Sequence, residues 1–251
     1  MIILTLFAAG VTPARAIDVA HDLASRYRAV VLRDLDLRGA TLLKGEGMMK
    51  ILAEFGEARD ATFESLRIPF AAIAMDLATG EEVALESGPL LDGIRPSFAM
   101  PGIFPPCVVG ERLLIDGAMA NPVPVDRVRA LGADFVIATQ PIPSLRSDAA
   151  DPLGAFLDRA QRFVEKIPVR QLGERLRTLN VSIRSFQSLW YRLATGAARS
   201  AEAAITPDVG EFWFLQFAQA PRIIDAGRDA ALVAVPAIRD MLRDQLGLGP
   251  P

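Results

Sequence analysis

One carboxylate in this chain stands where chemistry could be done. In LLIDGAMANPVPVD, Leu113 to Asp126, an apolar run ends on Asp116, and Gly117 and Ala118 follow at once. An aspartate at the C-terminal end of a sheet strand, with glycine behind it so that the backbone can turn tightly, sits where α/β proteins usually put their working groups. A carboxylate there can take a proton from a neighbouring hydroxyl. The competing reading is structural, because Asp-Gly is also a common turn dipeptide, and taken alone the dipeptide favours the turn.

Few other side chains could share such work. The chain has one histidine, His21, and one cysteine, Cys107. No internal disulfide and no His/Cys metal cluster can be assembled from them, and a reducing, cytoplasmic setting is expected. His21 falls mid-helix in an amphipathic pattern and reads as a partly exposed helix residue rather than a triad base. GEG at Gly45 to Gly47 has neither the G-x-G-x-x-G nor the Walker-type lysine pattern, so a nucleotide enzyme is disfavoured and no cofactor is expected.

The elements that must position Asp116 can be read from apolar spacing and turn residues. Thr12-Pro13 opens an amphipathic helix through about Ser25, and RYRAVVLRDLDL reads as a strand or short connection. A glycine-punctuated loop leads to a helix near Met48 to Phe55. Ile68 to Leu77 is a near-continuous apolar run of strand length, closed by a turn and answered by a paired strand in EVALES. A short helix broken by Pro101, Pro105 and Pro106 follows, then the strand ERLLIDG, a proline-started helix stopped at Gly132, and the buried strand ADFVIATQP. Strand, helix, strand at this spacing signals a parallel α/β sheet with crossover connections. Beyond Pro143 the pattern is helical: about Asp151 to Lys166, Val169 to Ala204, and Pro221 to Leu246 with Pro236 inside.

The 251 residues are 51% hydrophobic and carry a formal net charge of -3. That suffices for a sizeable core, and the economical organisation is a single domain over 1–251, with an α/β part over 1–142 and a helical part over 143–251. No run reaches the roughly 18 apolar residues of a membrane-spanning helix. The opening MIILTLFAAG is apolar, but no Lys or Arg precedes it as a secretory signal would require; the alternative is a buried helix whose beginning lies outside this sequence.

Several of these pieces, in order and at matching separations, resemble the C-terminal part of the patatin-like phospholipase family: RGATLLKGE, the stretch IPFAAIAMDLATGEEVALESGPLLDGIRPSFAMPGIFPP, LLIDGAMANPVPVD and RALGADFVIA. The resemblance implies a three-layer α/β sandwich with a mainly parallel sheet plus C-terminal helices. It also implies hydrolysis of lipid acyl esters, of the phospholipase A or lysophospholipase type. In that family the D-G-[GA] aspartate is one half of a Ser-Asp dyad, a position held here by Asp116 with Gly117 and Ala118. A carboxylate within hydrogen-bond reach can activate serine without an intervening imidazole.

The other half is not in these residues. No two glycines four apart flank a serine in the G-x-S-x-G pattern that the family uses. LTLFAAGVTPARAI resembles the junction just after the family's nucleophile helix, so the resemblance puts the serine, the oxyanion loop and the N-terminal strands upstream of Met1. Loss of the nucleophile alone costs about a million-fold in turnover, so the isolated chain is expected to be inactive. Ser97, in RPSFAMPG, is the nearest substitute by motif, against packing or capping as the ordinary role. The second reading is a catalytically inactive patatin-like remnant that acts as a lipid-surface or protein-binding module.

Charge is unevenly spread. Arg159 to Arg199 holds nine basic and two acidic residues, so this segment carries +7 and the remainder -10. Arg177, Arg184, Arg192 and Arg199 recur at spacings of seven and eight, on one helical face with apolar residues between them. Peripheral docking on an anionic membrane is one reading; a solvated arginine face on a core-packing helix is the commoner one. Nucleic acid is not expected, because the charge is confined to one segment without a binding motif.

Overall fold

The computed structural model describes residues 5, 7–36, 41–54, 59–142, 169–212 and 217–247. They belong to two compact units, Met1–Val136 and Ile137–Pro251.

The first unit opens with helix α1 (Pro13–Asp34). Thr12 caps it as the sequence suggests, its hydroxyl accepting the Arg15 N–H at 3.3 Å, and Ala16, Val19 and Leu23 form its buried stripe. The helix runs on to Asp34, through most of the stretch expected to be a strand or short connection. Val30 and Val31 favour extended backbone, but packing outweighs that propensity. Val30 lies against α2 (Glu46–Glu54), where a Cβ added at Gly47 would come within 2.7 Å of Val30 Cγ1. Asp34, the last residue of α1, accepts the N–H groups of Gly45 at 2.8 Å and Gly47 at 3.0 Å and ties the two helices together.

Strands β1 (Ala72–Asp76) and β2 (Glu82–Leu85) form the expected hairpin. Leu90–Ile94 makes a short helix, α3, followed by a 3-10 turn at Pro96–Phe98. Then come β3 (Cys107–Val109) and β4 (Arg112–Asp116), joined through Gly110 at φ 60°. The sheet order is β2-β1-β4-β3, antiparallel throughout. Ala72, Ala74, Leu90 and Ile94 are fully buried, and Leu52 and Phe63 pack in one cluster with Ala72, Leu90 and Ile94. Each fully buried Leu, Ile or Phe contributes about 1.5–3 kcal/mol. Helix α4 (Val125–Ala130) ends before Gly132, whose φ of 99° provides the expected stop.

In the second unit, β5 (Ile137–Thr139) pairs in parallel with β6 (Ala203–Ile205). Helix α5 (Val169–Ala198) ends sooner than expected because 203–205 go to the ladder with β5, where Gln140 N–H also reaches the Ile205 carbonyl at 2.9 Å. Helix α6 (Ala220–Gln245) carries Pro236 inside it. The expected helix over 151–166 lies outside the described residues. The expected crossover unit also takes another form: β4 pairs antiparallel with β1 and β3, while β5 pairs with β6, so parallel pairing among the described strands is confined to β5 and β6. Among the described residues no helix is long and apolar enough to cross a membrane.

Candidate active site

Asp116 is the last residue of β4 and stands opposite Ala74 of β1. Two small side chains line this region of the sheet, Ala74 and Ala99, and both are fully buried. Asp116 donates its own N–H to the Ala99 carbonyl at 3.1 Å. The Pro96–Phe98 turn that leads to Ala99 is fixed from outside by Arg95. That guanidinium lies 5.0 Å from the centre of the Phe98 ring and 5.7 Å from that of Phe104, and reaches the Lys44 carbonyl at 3.4 Å.

Gly117 is needed here, though not for the reason its position in a turn suggests. Its φ is not in the left-handed region. Instead the backbone passes so close to β1 that an added Cβ would be driven into the Ile73 carbonyl and would meet the Ala74 nitrogen at 2.9 Å. The close approach sends the chain into a 3-10 turn over Gly117–Met119, and the Ala118 N–H turns back to Asp116 Oδ1 at 2.8 Å.

The carboxylate that results is unlike its neighbour Asp76. Both end strands of the same sheet, both are buried, and each accepts the N–H two residues on, Asp76 from Ala78 at 2.9 Å. Asp76 has a cation, Arg112, at 3.9 Å. Asp116 has no side-chain cation among the described residues, and Oδ2 accepts no hydrogen bond from them. Burial therefore pushes the Asp116 carboxyl up from its ordinary 3.8 to about 6, against the smaller opposing pull of the Ala118 N–H. A carboxylate of that basicity, with one oxygen held and the other free, is suited to accepting a proton near neutral pH.

Beyond the motif the loop is anchored to the sheet. Asn121 N–H bonds the Gly117 carbonyl at 2.8 Å, and Asn121 Nδ2 donates to Glu82 Oε2 at 2.7 Å and to Asp126 Oδ1 at 2.9 Å. Arg127 closes the set with an ion pair to the same Glu82. Sequence reasoning missed this clamp, because Glu82 comes from a hairpin far along the chain; the polar Asn121 ahead of two prolines was the only local signal.

The other candidate residues fall in different places. Ser97 sits in the turn beside Asp116's backbone, 6% exposed, and its hydroxyl has no hydrogen-bond partner among the described residues. His21 is exposed on α1. Cys107 is half-buried on β3, its thiol held above the usual range by burial and only partly lowered by Arg95, so it is a poor nucleophile. Arg192 and Arg199 are exposed in the second unit. Arg177 and Arg184 lie within α5, but their side chains lie outside the described residues.

Comparison with known proteins gives the site a setting. Residues 2–129 match the family described as patatin-like phospholipase, and the match takes in all of β1 to β4 and the Asp116-Gly117-Ala118 motif. The chain belongs to the patatin-like phospholipase family. Its helices and sheets accord with the α/β class of the patatin domain. An uncharacterized NTE family protein of Mycobacterium tuberculosis (strain H37Rv) is 34% identical over 137 residues, 54% of this chain and 36% of the relative. A second uncharacterized NTE family protein of the same strain is 29% identical over 189 residues, 72% of this chain and 31% of the relative. Patatin-like phospholipase domain-containing protein 7 of Rattus norvegicus is 29% identical over 126 residues, 49% of this chain and 9% of that protein. This patatin-like chain thus spans about a third of the length of the mycobacterial relatives.

Proposed function

We propose that this chain supplies the aspartate of a Ser-Asp dyad in a lipid acyl hydrolase, a phospholipase A or lysophospholipase in type, with Asp116 as general base. The supporting observation is the state of that carboxylate: buried, without a side-chain cation among the described residues, one oxygen held by the Ala118 N–H, and raised to about 6 by burial. The serine is contributed from outside residues 1–251, since no G-x-S-x-G occurs within them. The strands that carry it join the sheet described here in a three-layer, mainly parallel sandwich.

In the first step the serine hydroxyl gives its proton to Asp116 Oδ2 as its oxygen bonds the ester carbonyl carbon. The protonated carboxyl returns that proton to the departing alcohol when the ester C–O bond breaks. Water, activated by the same carboxylate, then releases the fatty acid and restores the serine. A base near 6 is largely ionised at neutral pH yet still basic enough to share the proton in the transition state. Hydrolysis should therefore fade as the pH falls through about 6.

A short-chain ester assay tests the reading on two proteins, the 251-residue chain and a chain extended upstream to include a G-x-S-x-G segment. Activity in the extended protein, lost in its Asp116→Ala variant and absent from the shorter chain, is the expected result. Full activity in the Asp116→Ala variant would overturn the role of Asp116. The second reading, an inactive remnant serving as a lipid-surface or protein-binding module, rests on the missing nucleophile and gains ground if no upstream reading frame encodes one.

A further inference from the structure

Among its described side chains, helix α5 carries apolar residues on two sides, one covered and one exposed. Trp190, Ala194 and Ala198 recur every four residues and are buried, with Phe186 stacked on Trp190 at 5.9 Å between ring centres. At about 100° per residue the opposite side carries Val181, Ser185, Ser188 and Arg192, continued in register by Arg199 just past the helix end, with Leu189 and Leu193 along one margin. Val181 is 68% exposed, Leu189 50% and Leu193 40%. Arg192 and Arg199 are exposed as well, and neither makes a hydrogen bond or ion pair with any described residue. From Arg175 through Ala201 the sequence contains no Asp or Glu, so this stretch supplies no counter-charge of its own.

Free guanidinium groups beside exposed aliphatic side chains make two separate demands on whatever covers them. An acidic polar surface satisfies the cations and leaves the aliphatic groups in contact with polar atoms. An apolar protein surface does the reverse and strands the charge. A layer of anionic phospholipid meets both: phosphate oxygens accept from the guanidinium groups, and the boundary between headgroup and acyl chain receives the leucine and valine side chains. Long arginine stems allow the two to sit at different depths from one helix.

We infer that the outward face of α5, centred on Val181, Leu189, Leu193, Arg192 and Arg199, docks on an anionic phospholipid surface with the helix lying along it. The inference deepens the lipid hydrolase reading and rests on it for the choice of lipid over another acidic and apolar surface. It assigns where this chain meets the layer that holds its substrate.

Sedimentation of the full 251-residue chain with vesicles tests it, using phosphatidylcholine alone and phosphatidylcholine mixed with phosphatidylglycerol. Binding to the mixed vesicles, at least tenfold weaker on phosphatidylcholine alone and weakened by salt, is expected. Replacing Arg192 and Arg199 by Gln should lower binding about fivefold for each arginine. The Leu189→Ser, Leu193→Ser double variant should lower it by roughly tenfold or more, with the melting temperature of either double variant close to that of the parent. Equal binding to both vesicle types, or variants that bind like the parent, would overturn the inference. So would a chain that ignores vesicles but self-associates through Leu189 and Leu193, which would make a second copy the occupant. Asp116→Asn separates the two readings, because vesicle binding should survive it. Intact docking without hydrolysis by the extended chain would count against the hydrolase alone.

Discussion

The two units differ in how many of their described apolar side chains are shielded. In Met1–Val136 Ala72, Ala74, Leu90, Ile94, Ala99 and Ile103 are fully shielded, and backbone passes over backbone at Gly117 with no room for a methyl group. In Ile137–Pro251 Trp190, Ala194 and Ala198 of α5 and Ile238 of α6 are buried, while Val181 and Leu189 are exposed on α5, and Leu232 and Val233 on α6 at 63% and 83%. A sealed interior is the setting in which a lone carboxylate acquires an unusual proton affinity. An outward apolar surface is the setting in which contact with something else is made.

That contrast can be broken where the first unit is tightest. Gly117→Ala should destabilise the protein by roughly 4 kcal/mol or more, since strand backbone cannot yield as a flexible side chain would. Urea unfolding measures it, and a loss under 1 kcal/mol would mean that the close approach to Ile73 is relaxed in solution. The second unit offers a paired test on adjacent residues: Trp190→Ala should cost about 3–4 kcal/mol, and the Leu189→Ser change one position away less than about 0.5 kcal/mol. Equal costs would erase the distinction between covered and uncovered faces of α5.

Asp116→Asn probes the sealed interior through charge. The folded protein binds the Asp116 proton more tightly than the unfolded chain does, so stability falls as pH rises between about 4 and about 6, and the full penalty remains above that window. Removing the charge should stabilise the protein by about 3 kcal/mol at neutral pH and change little below about pH 4. Asp76→Asn, at a carboxylate that has Arg112 beside it, should instead cost about 1 kcal/mol or less. Thermal melts across the pH range distinguish the pair. Ser97→Ala removes a buried hydroxyl without a partner among the described residues and should stabilise by about 1 kcal/mol; a loss of that size would show that the hydroxyl is hydrogen-bonded in solution.

The sequence was legible where local chemistry decides structure. Thr12-Pro13, the β1–β2 hairpin, the strand ending on Asp116 and the stop at Gly132 all rest on caps, turns and short apolar runs, and all are found. It was misleading where packing decides. RYRAVVLRDLDL suggested a strand or short connection, but Val30 packs beside Gly47, Asp34 binds the start of α2, and the helix runs on to Asp34. Cys107–Val109 and Ala203–Ile205 are too short for a periodic signal and become strands only because β4 and β5 pair with them. At the site, Asp116 and Ser97 were visible, while Ala99 and Glu82 were not, since they reach the aspartate or its loop through the fold. The glycine was right for another reason than the one its dipeptide suggests.

The central claim is that Asp116 is a buried proton acceptor without a side-chain cation among the described residues. It is tested most directly by following the carboxyl carbon of Asp116 by 13C NMR across an acid titration, with the Asp116→Asn variant fixing the assignment. The account predicts a midpoint near 6; a midpoint at or below the ordinary value of 3.8 would contradict it.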